Sequence, residues 1–354
     1  MYPRLLIDKE KFRHNVKELL NKCHQNGQTM MAVSKVFCAD HELINILIDE
    51  GVDYIADSRI QNLMTFTAPM PRVLLRLPMI SEAELVVKHS EISLNSELET
   101  IKALNKESAK SNTKHGIILM IDLGDLREGI FIEEDIYSIV EKTLKLEHIE
   151  LKGIGTNLTC YGGVIPSVET LTKLVEYKNE IEAKFDITLE IISGGNSSNI
   201  ELLTEGLIPF GINNIRLGES IALGRETAYG NEIENLYNDV FTLEAEIIEL
   251  KEKPSIPIGE IGMNAFGKTP IFKDKGNMLR AIIGIGKQDV DYQELIPFDT
   301  LEAIGSSSDH IILDMSQTYN IYNVGEPVLF RLTYSSVLSL TTSKYVKRIY
   351  VWTI

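Results

Sequence analysis

Along the first two thirds of the chain, short apolar runs alternate with longer segments in which apolar residues recur every three or four positions. The short runs predict eight strands: TMMAVSK (29–35), YIADS (54–58), RVLLRLP (72–78), ISLNS (92–96), GIILMIDLG (116–124), LKGIGTNL (151–158), LEIISGG (189–195) and NNIRLGES (213–220). Between them HELINILIDEG, SELETIKALNKES and VETLTKLVEYKNEIEAKF read as amphipathic helices, with charges filling the gaps between apolar positions. Eight βα units in about 200 residues suit a closed (β/α)8 TIM-type barrel. A doubly wound sheet is the alternative, but no GxGxxG follows the first strand. The opening RLLID is a ninth strand-like run, and in the helix after it Phe12, Val16, Leu19 and Cys23 line one face. Counting alone does not place that strand.

After LGRETAYGNEIENLYND (223–239) the texture changes to β-runs without long helices: VFTLEAEIIELKEK, LRAIIGIGKQDV, HIILDM, EPVLFRLTY and KRIYVWTI. Prolines 254, 257, 270, 297 and 327 punctuate this region. The fold expected is therefore α/β plus all-β, an N-terminal barrel over residues 1–234 and a C-terminal β-domain over 235–354.

A chain of 354 residues exceeds one ordinary core, which agrees with two domains. Composition, 44% hydrophobic and 24% charged, is that of a globular protein. No apolar run reaches bilayer length, and residues 1–20 lack the apolar stretch of a signal peptide, so the cytoplasm is the expected location. The formal net charge of −16 argues against nucleic acid as a partner and is compatible with a cationic small substrate. Cys23, Cys38 and Cys160 are too few and too scattered for a disulfide framework or a zinc cluster, so no metal is expected.

All eight predicted strands end polar, with Lys35, Asp57 and Ser58, Arg76, Asn95 and Ser96, Asp122, Asn157, Ser193 and Arg216 at the C-terminal ends where such barrels hold their active sites. A lysine at a strand end often only reaches for water. One lysine and two arginines converging on so small a ring instead call for an anion between them. The seventh strand runs into SGGNSSN, a turn whose N–H groups and hydroxyls suit a phosphate, although an ordinary helix cap has the same residues. A phosphate pocket with a lysine fits pyridoxal 5'-phosphate, and equally a phosphorylated sugar attacked by Lys35. Arg216 separates the two. It could face a pyridine nitrogen and, as a pure donor, leave that nitrogen unprotonated; the alternative is an ion pair with Glu219.

With these residues in view, the chain resembles the two-domain alanine racemase superfamily, the fold-type III pyridoxal-phosphate enzymes, and within it most closely the ornithine racemase branch. VSKVFCAD, MIDLGDLREGI, GIGTNLTCYGGV, SGGNSSN, RLGESIALGRETAYG and IGEIGMNAFG carry the resemblance, which covers essentially the whole length. It implies a pyridoxal-phosphate barrel and a β-domain, paired as a head-to-tail homodimer in which each active site is completed by the partner's second domain. It also implies that residues 1–8 pair with the β-domain. Lys35 then matches the Schiff-base lysine and Arg216 the partner of the pyridine nitrogen. Ser197, with Asn196 and the preceding Ser193 and Gly194, matches the phosphate turn, and Gly218 and Asn157 fall at cofactor-side positions. Arg127 in LREG matches an arginine on the substrate side.

The departures are informative. Asn157 stands where alanine racemases have a histidine, Ala39 where they have a phosphate-binding tyrosine, and Met263 where they have a catalytic tyrosine. Racemisation needs a proton acceptor on each face of the α-carbon, and Lys35 can serve only one. Candidates for the other are Cys160, Tyr161, Tyr292 and His310. Alanine would need a small closed pocket, whereas ornithine needs an acceptor for its distal ammonium, for which Asp309 and Asp289 are candidates with His310 adjacent. The expected function is thus interconversion of L and D forms of ornithine or a similar basic amino acid. Two alternatives are a non-catalytic carrier of the cofactor, suggested by AVSK, and a metal-dependent lyase acting on D-amino acids. The carriers lack a second domain, and the β-domain offers one histidine and no cysteine as metal ligands.

Overall fold

The opening run forms strand β1 (Arg4–Asp8), and eight further strands follow it before residue 220: β2 (Thr29–Val33), β3 (Tyr54–Asp57), β4 (Arg72–Leu74), β5 (Ile92–Asn95), β6 (His115–Met120), β7 (Ile149–Gly155), β8 (Ile191–Ser193) and β9 (Asn214–Leu217). In the computed structural model, which describes residues 1–352, strands β2 to β9 pair in chain order and close on themselves as a parallel barrel. The ring is sealed by β2 against β9, with Met31 opposite Arg216. Met31, Val33, Ala56, Val73, Leu94, Ile118, Met120 and Ile191 form one of its buried clusters. These strands read as near-continuous apolar runs because both of their faces are covered.

Every expected barrel strand is present, but each stops earlier than its apolar run. β2 ends at Val33, so Lys35 lies in the turn beyond the strand and not on its last residue. Close strand approach is built in at Gly153, where a Cβ would lie 1.7 Å from the Ile191 carbonyl oxygen on the neighbouring strand. Amphipathic helices cover the barrel. The helix Lys9–Gln25 buries Phe12, Val16, Leu19 and Cys23, the face expected from their spacing.

The chain divides into two compact units, one spanning Phe12–Asn238 and the other combining Met1–Lys11 with the chain from Asp239 onward. The second holds an antiparallel sheet of β10 (Phe241–Pro254), β11 (Asn277–Ile283), β12 (Leu295–Pro297), β13 (Glu302–Ser306), β14 (Ile311–Asp314), β15 (Pro327–Leu332) and β16 (Lys347–Val351). Its order is β12-β15-β10-β11-β14-β13, and β1 pairs antiparallel with β10 and parallel with β16. The sequence pattern shows β-runs without long helices here, and among them the structure places a short helix, Tyr334–Thr342. Its YSSVLSLTT sequence has the β-branched and hydroxyl residues of a strand, but a capping box between Thr333 and Ser336 starts it and Val337 and Leu340 bury one face. β12 and β13 were also absent from the sequence pattern, being short and only partly buried. Among the described residues no helix is long and apolar enough to cross a membrane.

Candidate active site at the barrel mouth

Ser34, Lys35 and the residues after them form a tight turn above β2. Ser34 is buried and its hydroxyl donates to Asp57 Oδ2 at 2.6 Å. Lys35 opens a single 3-10 turn, Lys35–Phe37, and the chain leaves it through two consecutive left-handed residues, Cys38 (φ 52°) and Ala39 (φ 47°). Left-handed backbone is unfavourable for residues with a Cβ, and such strain collects at functional sites. Asp57, fully buried on β3, also accepts from the Arg59 N–H at 2.8 Å and from Asn62 Nδ2 at 3.1 Å. Burial raises its carboxyl above the ordinary value, against those hydrogen bonds and the nearby charge of Lys35. Lys35 itself is half-buried at the mouth.

Arg216 lies on β9, only 4% exposed. Its Nη1 donates to Ser193 Oγ at 2.5 Å, and its Nη2 to the Thr156 carbonyl oxygen at 2.7 Å and to Asn157 Oδ1 at 3.3 Å. All three acceptors are neutral, and no ion pair to Glu219 forms. Burial chiefly pushes this guanidinium down to about 10, with the charge of Arg127 adding to the fall and Cys160 and Glu128 opposing it. A buried cation without a carboxylate is costly unless another electron-rich group faces it. Ser193 completes its hydrogen bonding by donating to Asn214 Oδ1 at 2.8 Å, so its hydroxyl serves Arg216.

The SGGNSSN segment forms the expected turn. Gly195 takes φ +133°, a conformation closed to residues with a Cβ, and a Cβ there would meet Asn199 Nδ2 at 2.4 Å. Asn196 Oδ1 caps the following 3-10 turn by accepting from the Ser198 N–H at 2.8 Å. Ser197 Oγ lies 3.0 Å from Ser220 Oγ and accepts from the N–H groups of Gly218 (3.4 Å) and Ser220 (3.3 Å). Two chain segments thus converge on one hydroxyl. Asn196 Nδ2 also reaches Asn157 Oδ1 at 3.0 Å, the Leu158 carbonyl oxygen at 2.8 Å and Cys160 Sγ at 3.3 Å.

Sequence reading missed Ser198, Thr156 and Ser220, and weighed Glu219 only as an ion-pair partner for Arg216. Ser198 and Thr156 stand out because their hydroxyls are buried without a protein partner, as is Asn157 Nδ2. No sequence signal marks an unsatisfied atom; only the SS repeat and the TN pair at a strand end pointed to the segments. Glu219 is half-buried, and burial pushes its carboxyl up to about 7, with Arg225 and Lys35 pulling it back and Glu226 adding to the rise.

Other expected strand-end residues are engaged elsewhere. Arg76 pairs with Glu82 at 2.5 Å, so of the two arginines expected to face an anion only Arg216 remains with neutral partners. Asp122 accepts from the Gly124 N–H at 2.8 Å and the Leu126 N–H at 3.2 Å, which shapes the loop after β6. On that loop Arg127 is ion-paired with Glu128, the contact that chiefly raises its pKa. Cys160 and Tyr161 follow β7 on a loop held by Asp125.

The remaining candidates belong to the β unit. Asp309 and His310 occupy the turn between β13 and β14, where Asp309 Oδ1 lies 2.9 Å from His310 Nδ1 and Ser307 Oγ donates to it at 3.3 Å. Asp289 is buried and accepts from Ser343 Oγ at 2.6 Å. Tyr292 is half-buried at the start of a 3-10 turn, and Met263 is exposed.

The residues present fit pyridoxal phosphate. A buried arginine with only neutral acceptors suits a ring nitrogen, and the free donors of Ser198, Thr156 and Asn157 suit phosphate and ring oxygens. The barrel mouth and the appended β unit define the class, a two-domain protein of alanine racemase architecture. The alanine racemase N-terminal domain model matches residues 7–225, and the chain belongs to that family.

Two curated relatives span it almost entirely. An ornithine racemase of Acetoanaerobium sticklandii is 49% identical over 350 residues, covering 98% of this chain and 99% of that protein. A lysine racemase of Thermotoga maritima is 38% identical over 354 residues, 99% of each. Among solved structures, alanine racemase of Bartonella henselae with covalently bound pyridoxal phosphate shares the fold with a TM-score of 0.75 at 18% identity, over 99% of this chain and 100% of that one.

Proposed function

We propose that this chain is a pyridoxal-phosphate-dependent racemase of ornithine. The 49% identity to an ornithine racemase along nearly the whole chain carries the reading. When bound through the Lys35 amine, the cofactor would draw electron density from the substrate and acidify its α C–H bond.

The chain's residues would divide the work. Ser197, Ser198, Asn196 and the Gly218 N–H hold the phosphate group, with Gly194 and Gly195 letting the backbone approach. Arg216, fixed by Ser193 and Thr156, donates to the ring nitrogen and keeps a proton off it. Asn157 would face the ring, at the position where the resemblance to alanine racemases implies a histidine. The Lys35 amine would accept and return the α-proton on one face. A group on the loop after β7, Cys160 or Tyr161, serves the other. Arg127 orients the substrate carboxylate.

The head-to-tail homodimer belongs to the same reading, with Asp309 and His310 of a second copy receiving the distal ammonium. Exposed apolar side chains support pairing: Leu126, Phe131 and Tyr161 around the barrel loops, and Ile258, Met263 and Ile271 between β10 and β11. The acidic balance of the chain suits a cationic substrate.

The test is incubation of the purified protein with pyridoxal phosphate and L-ornithine, followed by chiral chromatography. Both enantiomers should approach equal amounts. Failure to convert ornithine while alanine or serine is converted would overturn the substrate, and failure with every amino acid tried would overturn the racemase.

A further inference from the structure

We infer that the sulfur of Cys160 is the proton-transfer group opposite Lys35. The inference deepens the racemase reading and rests on it.

Three observations converge on this sulfur. The first is rigidity. Cys160 sits on a loop whose backbone is pinned by one buried carboxylate: Asp125 accepts from the N–H groups of Thr159 (3.0 Å), Tyr161 (2.9 Å) and Val164 (3.2 Å). Thr159 is held left-handed at φ 68°, and Gly162 packs so closely that a Cβ would lie 2.7 Å from the Asp125 carbonyl oxygen. A loop bound this way places its next side chain with little freedom.

The second is the hydrogen-bond chain. Asn196 Nδ2 donates to Cys160 Sγ at 3.3 Å and to Asn157 Oδ1 at 3.0 Å, and Asn157 Oδ1 accepts from Arg216. The sulfur is therefore tied through two asparagines to the guanidinium proposed to face the ring. Asn157, only 7% exposed, keeps its Nδ2 unpartnered.

The third is charge. Arg127 and Arg216 both lie within electrostatic reach of Cys160. The thiolate is the form of a cysteine that takes a proton. Cys160 and Tyr161 are both exposed, but the sulfur accepts from Asn196 in the site whereas only the backbone N–H of Tyr161 is tied, to Asp125. Met263, at the position of the family's tyrosine, has no proton to give.

Ring order puts Cys160 and Lys35 on different sides of Arg216. Lys35 follows β2 and Cys160 follows β7, and β9, which carries Arg216, stands between them with β8 in the closed sequence β7-β8-β9-β2. In the step, the Cys160 thiolate takes the α-proton of one enantiomer and becomes a thiol, while the electron pair stays on the substrate. The Lys35 ammonium delivers a proton to the other face and becomes an amine. Exchange with solvent restores both groups, and the reverse direction exchanges their roles.

Two measurements test this. In Cys160→Ala, racemisation of ornithine should fall at least about 100-fold, while one enantiomer, the one whose α-proton faces Lys35, still exchanges that proton with deuterated water without inverting. A loss of racemisation in Tyr161→Phe with Cys160→Ala unaffected would move the assignment to the tyrosine. Cys160→Ala that inverts ornithine at the parent rate overturns the assignment, as does loss of exchange with retention for both enantiomers. A parent protein that racemises no amino acid overturns the functional reading itself, so the two failures are distinct.

Discussion

Ser193 and Arg216, on neighbouring barrel strands, share a 2.5 Å hydrogen bond in which the guanidinium donates to a hydroxyl that passes its own proton to Asn214. Both residues are almost wholly buried. The direction of that arginine is therefore set by two side chains that reach no solvent. Ser193→Ala removes an acceptor from Arg216 and a donor from Asn214 at once, which should cost about 1–3 kcal/mol of stability. Urea unfolding measures it, and a loss within the error of the extrapolation would show that Thr156 and Asn157 hold Arg216 unaided.

Lys35 follows the end of β2 on a strained turn and is only half-buried, so its removal should spare the fold. Lys35→Ala should lower racemisation by about 10³-fold or more while the unfolding midpoint moves little. Borohydride reduction followed by peptide mapping offers a readout independent of turnover: the parent should carry pyridoxyl mass on the peptide containing residue 35, and the variant on no peptide. Label on a different lysine would reassign the anchoring residue.

Glu219 gives the site a pH dependence. Its carboxyl is raised from an ordinary 4.5 to about 7, chiefly by burial, with Arg225, Lys35 and Glu226 as the charges around it. Between those values the folded protein binds more protons at this position than the unfolded chain does. Stability therefore falls as pH rises from 4.5 towards 7, with a slope of at most about 1.4 kcal/mol per pH unit. Asp57, also raised, contributes with the same sign. Glu219→Gln should flatten the curve across this window in protein without added cofactor. Parallel pH profiles for parent and variant would remove Glu219 as the source.

How much of this was legible in the chain follows from which interactions are periodic. Barrel strands and helices announce themselves because burial repeats at fixed spacing, and all eight strands could be read from TMMAV to NNIRL. Their ends were overextended, since an apolar residue such as Leu75 or Leu77 packs against the core after the ladder has stopped. Lys35, Arg216 and the Asn196–Ser197 turn stand out as candidates because unusual residues end apolar runs or cluster at one. The helix Tyr334–Thr342 was missed because its capping box outweighs weak propensity. Ser198 and Thr156 escaped for a different reason: an unpartnered hydroxyl is defined by what surrounds it in space, and neither residue type is rare at a turn.

The loop after β7 supplies the last prediction. Asp125 is 1% exposed, and although burial pushes its carboxyl up, N–H groups from Tyr161, Val164, Gly162 and Thr159 together hold it below the usual range. A lowered pKa means that its contribution is present at neutral pH and is lost as pH falls through the ordinary carboxylate range and below. Asp125→Ala leaves those N–H groups without an acceptor while touching no barrel strand. The loss should therefore appear locally: faster hydrogen exchange across residues 159–164, a fall of about tenfold or more in turnover, and a small change in the global unfolding midpoint. Asp125→Asn, which keeps the shape but not the charge, should lie between the two. If exchange in the loop is unchanged in the alanine variant while the whole barrel unfolds more easily, Asp125 is a stabilising residue of the barrel and the loop is ordered by other contacts.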